Sequence, residues 1–495
     1  MTRHLFWGDL HCHTGLSYGR GTAGAAVANG RSHVDFMAVI GHAFWHDMVV
    51  NDADPTGWIG RHFGGFEKLR RLWPDAKALL DRENQPGAFV TFLGYEWHSN
   101  AFGDYNVIYP RPDEQADLIG AETPAALKAA VRDRGAFVFP HHVGYLKGER
   151  GVDWDAYTED LSPVVEVCSG HGEFEADDGG PNAVDAVPMG PRTTKGCIRE
   201  GLRRGCRFGL IGSTDSHSSF PAAYNGGRAG VYADGLTREA LWEAVACRRT
   251  IAAKGDSIAV WFEADGAPLG SEITAKGGSV HLACTVRGED AIDSVELIRN
   301  ERVHRVWHPN DPGHRLQTTG GTPGCRVFKV RLQIGWGNVP YLTRWRGGLR
   351  VEGGEVRGVR PYFLPADTQN RNEGGQQRLE SWNADGFTFD CLALRFPQQF
   401  VAEIDGDAET RLALESDQTG FETRLGDLCE RSIGGRERKH TATAAKLCTA
   451  VPESAYAFTC ECDDDLGDLD EARYYVRVTQ RNLQRAWTSP IWVRR

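Results

Sequence analysis

Six short apolar runs in the first 217 residues all stop at an imidazole or a carboxylate. This regularity limits the folds open to the chain more than any other feature. Leu5 to Leu10, Phe36 to Ile40, Phe89 to Leu93, Ala136 to Phe139, Val164 to Cys168 and Phe208 to Ile211 read as buried strands. Between them lie amphipathic or Ala-rich stretches at 66–84, 123–135 and 236–249, which read as helices. Strands alternating with helices predict a parallel α/β sheet or barrel, a fold that sets its chemistry at the carboxyl ends of the strands. Those ends carry Asp9, His11 and His13; His42, with His46 behind it; Glu96 and His98; His141 and His142; Glu166, His171 and Glu173; and Asp215 and His217. Of 17 histidines, 12 fall in this half, so function is expected there.

Alternate residues of a strand share a face, so His11 and His13 point one way, as do Asp215 and His217. HxH and DxH pairs at strand ends suit chelation of a divalent metal. Cys12 is expected to face away, which leaves a His/carboxylate set without thiolate. Such a set suits Zn²⁺, Mn²⁺ or Fe²⁺ in an open catalytic geometry rather than a structural zinc site. His4, His33 and His62 read as ordinary hydrogen-bonding residues. His46, His98 and His142 read equally well either way, since each sits beside a stronger candidate.

A length of 495 residues fits two or three domains. A net charge of −11 weighs against a nucleic-acid partner, which calls for a basic surplus. No run approaches the 18 or so apolar residues of a membrane span. The opening residues, MTRHLFWGDLHCHT, lack a signal-peptide core, so a cytoplasmic location with the 12 cysteines as reduced thiols is expected. Glycine, 59 residues in all, favours loop-rich or all-β regions, and after about residue 255 the helical pattern ends. Residues 256–495 therefore read as a β-sandwich region, with a Gly/Arg-rich β insertion at 325–460. Trp336, Trp345 and Trp382 either bind a glycan or polymer or serve the sandwich core, and the core role is the expected one. Cys460-Glu461-Cys462 is a lone CxC and weak evidence for a metal.

The segments FWGDLHCHT, AVIGH, GYEW, FPHH, SGHG and GSTDSH together resemble the PHP (polymerase and histidinol phosphatase) superfamily of metal-dependent hydrolases. More closely, they resemble the bacterial PHP-like proteins with a GDLH opening, a YEW glutamate and a TDxH close. The resemblance covers roughly residues 3–255. It implies a distorted (β/α)7 barrel over 1–255, and the chain's last strands resemble the small β-sandwich appended to that family.

Two or three divalent metal ions (Zn, Mn or Fe) are implied at the rim. The first would take His11, His13, Glu96 and Asp215. Glu96 would bridge to a second, held by His141 (or its neighbour His142) and His171. His42 and His217 would serve a third, whose usual extra histidine is missing from GLSYGRG; it is absent, or completed by His46, Asp9 or water. The implied chemistry is hydrolysis by a hydroxide shared between metals, phosphoester first, with lactone, amide or phosphotriester hydrolysis as alternatives on the same site. A non-catalytic carbohydrate-binding protein on a metal-stabilised scaffold is the alternative of another class. Asp215 would move the proton. Arg20, Lys147, Arg150 and Lys195 are candidates to clamp an anion, Arg20 first because it follows the HxH strand closely. Trp45 and Trp97 either wall a sugar or aryl group or serve core packing, and the two readings stand equal. A small-molecule or glycan-derived substrate is expected, no nucleic acid or membrane, and homo-oligomerisation stays open.

Overall fold

Strands covered on both faces need apolar residues along their whole length, and the strands at the centre of this molecule have them. Phe36–Trp45 is buried at nine of its ten positions and Val90–His98 at all nine. The computed structural model describes residues 3–50, 54, 57–177, 189, 192–309, 326–337, 341–366, 374–394, 396–436 and 443–495. The opening strand His4–His13 pairs in parallel with Phe36–Trp45, which pairs in parallel with Val90–His98. The helix Trp58–Arg82 packs on the second and third of these strands with a stripe of Phe66, Leu69, Trp73, Ala76 and Leu80, spaced three and four apart as an amphipathic face requires. Asp54 accepts from the backbone N–H groups of Trp58 and Ile59 and so caps its first turn. Gly41 permits the close approach: a Cβ there would lie 2.4 Å from Leu69 Cδ1.

Beyond the trio the pattern departs from the expected barrel. After Val90–His98 the chain reverses through a short turn at Gly103 (φ +86°) into Tyr105–Tyr109, which pairs antiparallel, as does Phe137–Pro140 after it. A turn of that length leaves no room for the helix a parallel crossover needs. On its other edge the opening strand pairs antiparallel with Gly227–Ala233, then Thr250–Lys254 follows, then Arg485–Thr488 from the far end of the sequence. Val164–Ser169 and Gly209–Gly212 pair in parallel, in a separate three-stranded sheet with Gly172–Glu173. The hydrogen-bonded ladders therefore form an open thirteen-stranded sheet and a small companion; among the described residues no closed (β/α)7 barrel forms.

Among the described residues the second half has strands and only short helical turns. Ser279–Arg287 alternates outward and inward, and its inward Val280, Leu282, Cys284 and Val286 share a core with Tyr474, Val476 and Val478 of the C-terminal strands. The described residues between 326 and 452 contribute two further sheets around Phe328, Leu332, Trp345, Phe387, Phe400 and Leu412. Trp345 is fully buried there, while Trp336 and Trp382 are exposed. The eleven described cysteines are free thiols. No helix among the described residues is long and apolar enough to cross a membrane.

Candidate metal centre

The opening strand reaches the site through a bulge, its register slipping between Asp9 and Cys12. His11 and His13 still share a face, with their Nε2 atoms 2.9 Å apart. Cys12 turns its thiol to the backbone carbonyls of His13 and Ser216. Asp9 holds the strand to the loop opposite, accepting from the N–H groups of His11, Thr214 and Ala222 and from the Thr214 hydroxyl. Its carboxylate is thereby spent on structure.

Glu96, near the end of Val90–His98, stands among four imidazoles. Its Oε1 lies 2.6 Å from His141 Nε2 and 3.3 Å from His98 Nδ1; its Oε2 lies 3.3 Å from His13 Nε2 and 3.4 Å from His42 Nε2. Asp215, in the left-handed region at φ +52°, faces it across His13. Asp215 Oδ1 is 3.0 Å from His13 Nε2 and 3.5 Å from His11 Nε2, and Oδ2 is 2.7 Å from His171 Nε2. Strain of this kind in a non-glycine residue collects where function over-determines the backbone. His217 packs tilted against His13, ring centres 4.4 Å apart, and is half-exposed at the mouth.

The far side of each ring shows how these imidazoles are oriented. The Nδ1 of His13 is 3.0 Å from the Ile40 carbonyl, that of His42 is 2.9 Å from Ser17 Oγ, and that of His171 is 2.9 Å from Tyr145 Oη. His217 Nδ1 is 3.0 Å from the Asp215 carbonyl oxygen. A ring that donates from Nδ1 presents a bare Nε2 lone pair, which is how metal-binding histidines are held. Several buried polar atoms here make no hydrogen bond: Glu166 Oε1, His141 Nδ1 and His98 Nε2. Convergent lone pairs without donors fit divalent cations, and the potential ligand atoms form five overlapping groups, each within 4.8 Å.

The electrostatics agree. Burial disfavours ionised Glu96, but His98 and His141 outweigh it and hold the carboxyl well below its usual range. Burial likewise opposes the Asp215 carboxylate, and His11 and His217 overcome it. Burial disfavours a charged His13, yet hydrogen bonds to Asp215 and Glu96 push its pKa up to about 10. Glu166 goes the other way, pushed well above the carboxylate range by burial and by Asp215.

All eight sequence-derived metal candidates, His11, His13, His42, Glu96, His141, His171, Asp215 and His217, thus meet at one end of the sheet. His141 reaches Glu96, whereas His142 turns its Nε2 to Asp104, 3.2 Å away. His46 stacks on Trp97 away from the cluster. Arg20 lies exposed on the rim of the cavity over the site, which holds about 890 Å³. Trp45 also lines that cavity, whereas Trp97 is buried in the core. The sequence reading assigned no part to Asp104, Tyr18, Asn106 or Tyr145. Asn106 Nδ2 lies 2.9 Å from His11 Nδ1, and Tyr18 stacks on His42. Glu166, in sequence simply one of the strand-end residues, lies 3.3 Å from His11 Nδ1.

No family model matches the chain. It is similar to an uncharacterised protein of Chlamydia pneumoniae, 27% identical over 207 residues, which are 39% of this chain and 33% of that protein. A protein of Chlamydia trachomatis is 28% identical over 192 residues, 36% of this chain and 31% of its own length. The matches thus span about a third of these curated relatives. Among solved structures, a two-domain protein of Bacteroides vulgatus, described as containing a predicted PHP-like metal-dependent phosphoesterase, aligns over 93% of this chain and 96% of its own, with 12% identity and a TM-score of 0.36. The case for chemistry therefore rests on the cluster itself.

Proposed function

We propose that the chain is a metal-dependent hydrolase, phosphoesters being its first substrate class. The observation that carries this reading is Glu96: a buried carboxylate among four imidazoles, opposite a second buried carboxylate, with no lysine or arginine among the described residues bonded to either. His11, His13, Glu96 and Asp215 would hold one ion, and Glu96 with His141 and His171 a second. His42 and His217 would contribute to a third. Zinc, manganese and iron all suit nitrogen and oxygen donors of this kind. When bound, such ions lower the pKa of a coordinated water toward neutrality and stabilise developing oxyanion charge.

The protein's own residues do the rest. The Nδ1 contacts from Ile40, Ser17 and Tyr145 fix the ring orientations, so that little reorganisation is needed as charge develops. Asp215, a carboxylate lining the cavity beside His13 and His171, would be the group placed to move the proton of a water and pass it to the leaving group. The cavity admits a small molecule or the end of a larger one. Lactones, amides and phosphotriesters would engage the same groups. Inhibition by inorganic phosphate separates them, since a phosphoesterase binds its product anion and a lactonase does not.

The deciding experiment is elemental analysis of protein purified without added metal or chelator. Two or three equivalents of Zn, Mn or Fe per chain, falling sharply in Glu96→Gln, support the reading. No retained metal even after reconstitution sinks it.

A further inference from the structure

One guanidinium in the cavity is built in rather than left to solvent. Arg150 sits in a tight turn with φ +65°, its backbone N–H donating to the Asn100 carbonyl. Its Nε donates to Asp104 Oδ2 at 3.0 Å, and its Nη2 donates to the same oxygen. Asp104 is itself immobilised, accepting from the Ser99 N–H and lying 2.9 Å from His98 Nδ1 and 3.2 Å from His142 Nε2. The guanidinium carbon lies 4.7 Å from the centre of the Trp45 ring, and the side chain is 17% exposed. Nη1, not held by Asp104, donates to the thioether of Met189 at 3.1 Å, and Arg150 and Met189 both line the cavity. A planar guanidinium held side-on by a carboxylate, with its other edge toward a cavity, is suited to an incoming anionic group. Arg20 and Arg61 also line the cavity, but both are exposed there.

Beside Arg150 the cavity wall is aromatic. Trp45 and Trp58 meet edge to face at 5.3 Å, His62 packs 4.0 Å from Trp58, and Met48 continues the surface. Trp58 remains 42% exposed. A phosphate alone uses none of this surface.

We infer that Arg150 is the specificity-determining residue of the site. It binds a negatively charged group of the substrate while a flat apolar substituent lies against Trp45 and Trp58, which makes aryl or similarly flat phosphoesters the preferred class. The inference rests on the hydrolase reading for its kinetic part, and its binding part stands separately. Asp104 acts through Arg150 as a positioning residue.

The test compares the wild type with Arg150→Met, Arg150→Lys and Asp104→Asn, all full-length, metal-reconstituted and checked for unchanged circular dichroism. The kinetic probes are p-nitrophenyl phosphate, bis-p-nitrophenyl phosphate and the neutral p-nitrophenyl acetate; the binding probe is phenylphosphonate, followed by calorimetry. Loss of a charge-assisted contact predicts that Arg150→Met loses about tenfold or more in kcat/KM on the two anionic esters, mostly through KM. The same variant should lose about tenfold in phenylphosphonate affinity and change less than about threefold on the acetate. Arg150→Lys should recover part of the loss, and Asp104→Asn should raise KM for the anionic esters alone. Equal losses on charged and neutral esters, or phenylphosphonate affinity unchanged in Arg150→Met, overturn the inference, as does a wild type that does not bind phenylphosphonate. If the wild type turns over no ester yet binds phenylphosphonate through Arg150, the hydrolase reading fails and the anion site stands.

Discussion

Glu96 and Glu175 are both buried carboxylates with four close partners and depressed pKa values, yet they are built for different ends. Glu175 accepts from Arg199, Tyr475, Arg477 and the Trp487 indole, between 2.6 and 3.1 Å. Two of those partners carry permanent charge, so the site is complete as it stands. Burial raises the Glu175 pKa, but Arg477 and Arg199 override it and bring it to about 2. Among the described residues Glu96 has only imidazoles as close partners, whose charge depends on protons, and buried lone pairs beside it lack donors. A carboxylate paired with arginines joins segments of the chain; one ringed by oriented imidazoles waits for a cation.

The largest effect that would sharpen this contrast is on activity. Glu96→Gln should lower turnover by about a thousandfold or more. A variant that keeps its turnover breaks the comparison at its functional end. Glu175→Gln should do the reverse: strand Arg199 and Arg477, cost about 3–5 kcal/mol in urea melts, and leave turnover per folded molecule near wild type.

Acid sharpens it further. Glu175, ionised in the folded state down to about pH 2 against 4.5 unfolded, contributes about 3 kcal/mol that is present above pH 4.5 and lost as pH falls toward 2. His33 acts in a higher window. Burial, then Arg228, holds its pKa down to about 3, so the unfolded state takes up its proton first and stability declines as pH drops below 6.5. Urea melts at pH 7, 5 and 3.5 should show both slopes, and His33→Gln should flatten the upper one alone. Chelation should lower the Tm of the wild type, by the equivalent of about 2.7 kcal/mol where free metal stood a hundredfold above its Kd, and leave Glu96→Gln unmoved. The smallest effect belongs to His46→Ala, which should change metal content and rate by less than about twofold, since that ring lies exposed on Trp97.

The strands that carry the cluster were legible because a buried strand ending in a polar residue is a local signal. Period-two spacing alone put His11 beside His13. What escaped was whatever the chain assembles from a distance or by reversal. Asp104 lies in the turn that folds Tyr105–Tyr109 back on Val90–His98, and its worth comes from Arg150, 46 residues on. The same reversal explains the barrel that did not form, since the turn before Tyr105 is too short for a crossover helix. His142 and His141 are neighbours in sequence, and only the backbone at His142, with φ +34°, sends one ring to Asp104 and leaves the other on Glu96.

The thirteen-stranded sheet also sets an order in time. Thr250 bonds Ser489, 239 residues further along, and the strand at 250–254 lies one strand away from the neighbour of the opening strand. During synthesis on the ribosome the histidine-bearing sheet therefore stands with an unpaired edge until nearly half the chain has been added. Open edges recruit other strands, so the nascent protein depends on shielding through that interval, and contacts of such long range make its folding slow.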